Sequence, residues 1–365
     1  MKAALLETVG QPLVIRDDVE IRDPGPGQVR VKVSNCGVCH SDVSIADGAF
    51  PSLGPVVLGH EAAGVVDTVG PNVKGLAPGD SVVLTPTPPC GSCYWCVRGE
   101  PAICVDAIGI QTNTFADGTT GLSRGAETLY RGLNVAAFAE YVVTQETGAV
   151  KIPPDVPREV ACVIGCAVQT GVGAVLNTAD VEEGATVLVL GLGGIGLSVV
   201  QGARVAGAAR IIVSDPVSDR RVAAKAFGAT DLLDPTSDDV VARAREITEV
   251  GVDYAFETAG QAKLVEAGMA AARNGGTIVC VGAPPIDQNI TIAPAVILTI
   301  SEKKLIGSVL GSANSLREIP RLIALWQAGR LDLESLITAR RPLSEINEAM
   351  EDLRTSRGIR TVLSI

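Results

Sequence analysis

Short stretches in the first 150 residues alternate apolar and polar positions or cluster β-branched side chains. The segments 28–34 (QVRVKVS), 63–69 (AGVVDTV), 80–84 (DSVVL) and 140–143 (EYVV) predict strands. Pro24-Gly25-Pro26-Gly27 and Ala77-Pro78-Gly79-Asp80 punctuate them as turns. This half predicts a β-rich domain of the Greek-key barrel type, with residues 111–136, rich in Thr and Gly, as a long loop. Near residue 160 the rhythm changes. Apolar runs at 186–190, 211–214, 254–257 and 277–281 alternate with helical segments. That βαβ rhythm predicts an α/β fold with a Rossmann-type, doubly wound parallel sheet. A helical stretch at 316–327 and a strand-like tail at 360–365 follow.

Composition sharpens this picture. The chain has 365 residues, longer than one typical domain, so two domains are expected. Hydrophobic residues make up 47% but aromatics only 3%, so the apolar mass is aliphatic, as sheets covered on both faces require. Thirty basic against 41 acidic residues leave a net charge of −11, which repels phosphate backbones and predicts no nucleic-acid partner. The start, MKAALLETVGQP, breaks its apolar run at Glu7 and does not read as a signal peptide. No stretch approaches the roughly 20 uninterrupted apolar residues that span a bilayer. A cytoplasmic protein without membrane attachment is the expectation.

In such a setting nine cysteines point to metal ligands or buried thiols rather than disulfides. Cys90, Cys93, Cys96 and Cys104 place four thiols within 15 residues of a Pro/Gly-rich loop. Four thiolates close a tetrahedral zinc shell and leave no position for substrate. A second site is more dispersed. His40 and His60 are the chain's two histidines; His60 sits in GHE, Cys39 in GVCHSD and Cys166 in GCA. Two thiolates and one imidazole would leave zinc a fourth, open position for water or an alcohol. By spacing alone, Cys36 competes with Cys39 and Cys162 with Cys166.

Gly191-Leu192-Gly193-Gly194-Ile195-Gly196 follows the strand pattern ATVLVL and opens an apolar helical run. In that context Gly191 permits a tight turn, Gly193 lets a pyrophosphate approach the backbone, and Gly196 lets helix and strand pack closely. The helix N-terminus then faces the phosphates with unpaired N–H groups. Asp215 ends the next strand pattern, IIVSD, where a carboxylate accepts both ribose hydroxyls of NAD and repels a 2′-phosphate. The competing reading makes Asp215 a helix N-cap. Arg220 or Arg221, one helical turn on, is placed to flank the adenine ribose; a solvated face is the alternative.

Together these residues resemble the zinc-containing medium-chain alcohol dehydrogenase family. The resemblance rests on GVCHSD at 37–42, GHEAAG at 59–64, the four-cysteine lobe, GCAVQTGVG at 165–173, GLGGIG at 191–196, FETAG at 256–260 and IRTVLSI at 359–365. It implies Cys39, His60 and Cys166 as catalytic-zinc ligands, so that Cys36, Cys162 and Cys280 become small buried hydrophobes. It implies Asp42 and Glu61 behind the metal, Ser41 as first proton acceptor, and His40 and Arg360 toward the coenzyme phosphates. It also implies a GroES-like catalytic domain over 1–167 and 311–365, with the zinc lobe at about 88–106, and an NAD domain over 168–310. Two zincs and one NAD per subunit follow.

The separation of Cys104 from Cys166 resembles the dimeric branch, so a homodimer is expected. There are departures. Ser44 stands where some members carry a relay histidine, and Phe50 and Ile108, read as apolar-facing, replace charged residues of the glutathione-dependent formaldehyde branch. The expected activity is reversible oxidation of a primary aliphatic or aryl alcohol to its aldehyde, or of an alcohol to a ketone. The alternatives are an S-hydroxymethyl thiol-adduct dehydrogenase, a zinc-free reductase of the same fold, and a non-catalytic NAD-binding protein.

Overall fold

The computed structural model describes residues 1–292 and 295–365; Ala293, Pro294 and the Ile108 side chain lie outside the described residues. The reading of Ile108 as apolar-facing therefore falls outside them too. The chain divides into two compact units, Met1–Ala167 with Ala313–Ile365, and Val168–Ser312.

The first unit holds two sheets. In the seven-stranded one, Gln28–Gly37 is the hub: it pairs antiparallel with Glu61–Val69, Tyr141–Gln145 and Arg360–Ser364. Alternation explains the strand, since Val29, Val31 and Val33 point into the core while Lys32 is exposed. Leu58, Val82, Leu84, Phe138 and Leu363 complete that core. The six-stranded sheet includes Leu122–Arg124 and Glu127–Arg131. Those two strands correct the expectation of a loop over 111–136. They form a hairpin with Leu122 opposite Leu129, both buried, while polar Thr, Ser and charged neighbours on the other face hide the alternation.

The second unit is a six-stranded, all-parallel sheet. Its order is Asp231–Leu233, Arg210–Ser214, Thr186–Leu190, Val252–Glu257, Ala272–Cys280 and Lys304–Gly307. The first strand in sequence lies centrally and the order reverses beside it, which makes the doubly wound architecture and its switch point. Leu190 pairs with Ser214 on one side and Glu257 on the other, so the carboxyl ends of three strands finish level. The late helix runs Ser315–Gln327 in the first unit, capped by Asn314. Among the described residues no single helix is long and apolar enough to cross a membrane.

Candidate metal centre and dinucleotide site

A helix start builds the first site. Cys39 is the N-cap of His40–Ala46, and Asp42 is its third residue. Asp42 Oδ2 accepts the Cys39 backbone N–H at 3.1 Å, half of a capping box. Its Oδ1 accepts the Gly59 N–H at 2.9 Å and lies 3.1 Å from His60 Nδ1. One carboxylate thus joins the helix start to His60, the residue just before the strand Glu61–Val69. Gly59, at φ +89°, lets the backbone pass so close to Phe138 that any Cβ would collide with its ring.

Cys39, His60, Glu61 and Cys166 each offer a ligand atom, all within 4.8 Å of one another, and all four residues are buried. Glu61, expected behind the metal, stands as near as the three expected ligands. Its Oε1 accepts the Ala167 N–H at 3.2 Å, and its Oε2 lies 3.5 Å from Arg360 Nε. Burial pushes the Glu61 carboxyl up to about 7, although Arg360 pulls the other way. A Cβ on Gly37 would overlap Glu61 Oε2, so glycine leaves the space that the carboxylate fills. A hydrogen bond from Cys166 holds Cys39 well below the ordinary thiol range, and burial opposes it.

Arg360 is buried, and its Nη1 donates to the Val38 carbonyl at 2.8 Å. In this unit the guanidinium therefore faces Glu61, Cys39 and Cys166, a placement that sequence reasoning missed. Ser41 is half-buried, its Oγ 3.9 Å from Cys39 Sγ, and His40 is exposed. Cys36 and Cys162 are fully buried, and burial raises both thiols. Cys280 is only partly buried, which corrects its reading as a buried hydrophobe: its strand position pairs with Glu257 at the open carboxyl end of the sheet. Phe50 packs, partly buried, against the first unit's core.

The four lobe cysteines also lie within 4.8 Å of one another. Backbone N–H groups of Cys90, Cys93 and Asp106 donate to lobe sulfurs at 3.2–3.4 Å, as thiolates favour. Hydrogen bonds from the Val105 and Cys96 backbones bring the Cys93 thiol down to about 6. Asn134 ties both ends of the lobe together, donating to the Pro86 carbonyl at 3.0 Å and the Asp106 carbonyl at 3.2 Å. Its left-handed backbone, φ +65°, left no signal in the sequence.

In the second unit Gly191 has φ +97°, Gly193 has open space where a Cβ would stand, and a Cβ on Gly196 would overlap the Gly191 carbonyl. Gly194, Ile195 and Gly196 form the first turn of Gly194–Ala206, whose N-cap Gly193 makes no side-chain cap. Asp215 is buried and does not cap the next helix, whose N-cap is Val217. Instead its carboxylate accepts the Leu192 N–H at 2.7 Å and the Val217 N–H at 2.8 Å, which locks it against the glycine loop. Arg220 is buried rather than solvated. Arg221 reaches Asp215, donating to its carbonyl at 2.6 Å.

These features have close relatives. An alcohol dehydrogenase GroES-like domain model matches residues 25–154, and a zinc-binding dehydrogenase model matches 194–326. An alcohol dehydrogenase zinc-binding domain protein from Burkholderia ambifaria is 37% identical, covering 100% of this chain and 98% of that one, with a TM-score of 0.93. Benzyl alcohol dehydrogenase from Acinetobacter calcoaceticus is 33% identical over 100% and 99% of the two chains, with a TM-score of 0.94. A zinc-binding dehydrogenase from Sinorhizobium meliloti, bound to NADP, is 30% identical over 100% and 99%, with a TM-score of 0.83. With its GroES-like first unit, its doubly wound second unit and its two clusters of cysteine-rich ligands, the chain belongs to the zinc-containing medium-chain alcohol dehydrogenase family.

Proposed function

We propose that this oxidoreductase is a zinc-dependent, NAD-linked alcohol dehydrogenase acting reversibly on a primary aliphatic or aryl alcohol. The observation that carries the reading is the buried Cys39–His60–Cys166 triangle with Asp42 on the far nitrogen of His60. Soft thiolates and an imidazole suit zinc, and three such donors leave a coordination position for substrate. Cys90, Cys93, Cys96 and Cys104 would hold a second, closed zinc. The glycine loop and Asp215 fit NAD, with Arg220 on the helix Ser218–Phe227 that follows Asp215.

When bound, zinc supplies a Lewis acid that makes the alcohol hydroxyl acidic, and NAD supplies the hydride acceptor. The chain's own residues do the rest. Asp42 fixes the tautomer and orientation of His60. Arg360 and the Ala167 N–H hold the carboxylate of Glu61. Ser41 accepts the substrate proton and passes it on, since a hydroxyl both accepts and donates.

A benzyl alcohol dehydrogenase among the relatives supports an aryl alcohol as substrate. A homodimer is supported by the exposed Val296, Ile297 and Ile300 beside the edge strand Lys304–Gly307. Nine free cysteines support a reducing, cytoplasmic setting. The test is NADH formation with primary, secondary and aryl alcohols and with S-hydroxymethyl thiol adducts. Turnover of the thiol adducts alone would favour the formaldehyde branch; no turnover with any of them would leave a non-catalytic NAD-binding protein.

A further inference from the structure

The structural relative bound to NADP shows that this fold also accommodates a 2′-phosphate. What decides between the two coenzymes must therefore be local. In this chain Asp215 and Asp234 directly follow Ser214 and Leu233, which are register partners on adjacent parallel strands. The two acids thus leave the sheet side by side at its carboxyl edge. Arg221 links them: Nη1 donates to the Asp215 carbonyl at 2.6 Å, and Nη2 lies 2.6 Å from Asp234 Oδ2. Arg221 exposes 13% of its side-chain surface and Asp234 30%, so solvent screens the pair from the carboxylate side and the geometry of the contact holds it together.

Asp234 is itself held in place. Its Oδ1 accepts the Thr236 N–H at 3.0 Å and the Thr236 hydroxyl at 2.7 Å, while its own N–H donates to Asp238 Oδ2 at 2.7 Å. The carboxylate cannot swing away from Arg221 without breaking this turn.

We infer that Asp234 is a second determinant of coenzyme specificity, because it neutralises Arg221 and so denies a 2′-phosphate the guanidinium that lies against Asp215. This rests on the reading of Asp215 as the ribose-binding acid. A dianionic phosphate near Asp215 meets one repelling carboxylate and one cation whose charge is already matched. Removing Asp215 alone lifts the repulsion but recruits no attraction. Removing the charge of Asp234 as well frees the guanidinium for bidentate phosphate recognition, the geometry that arginine favours.

The experiment measures binding without turnover. Dissociation constants of ADP-ribose and 2′-phospho-ADP-ribose are determined by calorimetry on the zinc-loaded protein. The proteins are wild type, Asp215→Gly, Asp215→Gly/Asp234→Asn, and that double variant with Arg221→Gln. Asn keeps the acceptor for Thr236, and thermal melting checks the fold. The expected result is a narrowed preference for ADP-ribose in Asp215→Gly. A further shift of about tenfold toward the phosphorylated ligand is expected in the double variant, and Arg221→Gln should abolish that shift. An unchanged preference in Asp215→Gly overturns the ribose reading and this inference with it. A narrowed preference in Asp215→Gly that Asp234→Asn leaves where it is overturns the inference alone. A gain that survives Arg221→Gln overturns it as well, since the cation would then play no part.

Discussion

Asp42 and His60 are both buried, and Asp42 Oδ1 lies 3.1 Å from His60 Nδ1 while the same carboxylate accepts the N–H groups of Gly59 and Cys39. The side chain that orients the imidazole therefore also anchors the helix start that presents the first thiol. Asp42→Asn offers one acceptor oxygen for these tasks and sets an amide NH2 against N–H donors. Its zinc affinity at the Cys39 site should fall about 10–100-fold, read by chelator competition. Zinc retention equal to wild type would remove Asp42 from the site's support.

Gly37→Ala should act through Glu61, because the added methyl takes the space of Oε2. Turnover should fall about tenfold or more, and the absorption bands of the cobalt-substituted protein should shift as the carboxylate is displaced. Glu61→Asp in the same chain shortens the side chain and should restore part of both signals. If the double variant is no better than Gly37→Ala, the glycine serves the strand and not the carboxylate.

Metal counting separates the two clusters. Wild type should carry two zincs per subunit. Cys39→Ala should lose one zinc and nearly all activity with little change in Tm. Cys93→Ala should lose the other and lower Tm by about 5 °C or more, because a structural metal contributes folding free energy directly. One zinc in carefully prepared wild type would eliminate one of the sites.

Ser41→Ala should lower kcat by roughly 10²-fold, the scale of lost acid–base assistance, while Ser44→Ala does far less. Introducing histidine by Ser44→His should add a pH dependence near an imidazole pKa of about 6.5. The readout is a pH–rate profile of hydride transfer. Near-wild-type turnover in Ser41→Ala would send the proton by another route.

Much of this was legible because the carriers are local. The glycine loop, the cysteine lobe and the strand-turn-strand rhythm are contiguous patterns, and each appears where its periodicity predicts. What stayed hidden depends on distant segments meeting. The juxtaposition of Arg360 and Glu61 needs the strand Arg360–Ser364 to pair with Gln28–Gly37, and no spacing encodes that. The Asp234–Arg221 pair needs two parallel strands in register, with a helix start between them. Nothing in GVCHSD shows that Gly37 leaves space for Glu61, which only the neighbouring strand brings beside it. The hairpin 122–131 was lost for another reason: its exposed face is polar enough to mask two buried leucines.

Glu257 gives a test of pH linkage. It is buried at the end of its strand; burial raises its pKa, while hydrogen bonds from the Gln261, Ala259 and Gly260 backbones oppose the shift. A folded-state pKa above the unfolded value means that the native protein binds the proton more tightly. The stability this contributes is full below the ordinary carboxylate range and is lost as pH rises through the folded value. Glu257→Gln mimics the protonated form and keeps an acceptor for the Ala259 and Gln261 N–H groups. The variant should match wild type in acid and exceed its stability increasingly toward pH 8, measured by denaturant midpoints. A pH-independent difference would mean that Glu257 is ionised at no cost.

The Val168–Ser312 unit is one continuous stretch, whereas the metal-binding unit is divided around it. During synthesis Cys39, His60, Glu61 and Cys166 emerge first, and Arg360 follows only after the whole intervening unit. At 5–20 residues per second that interval is on the order of ten seconds. Throughout it, Glu61 lacks its guanidinium and the sheet lacks the strand beside Gln28–Gly37. A nascent chain can therefore gather these four side chains early, but it can finish the charge balance around them only once residue 360 has been made.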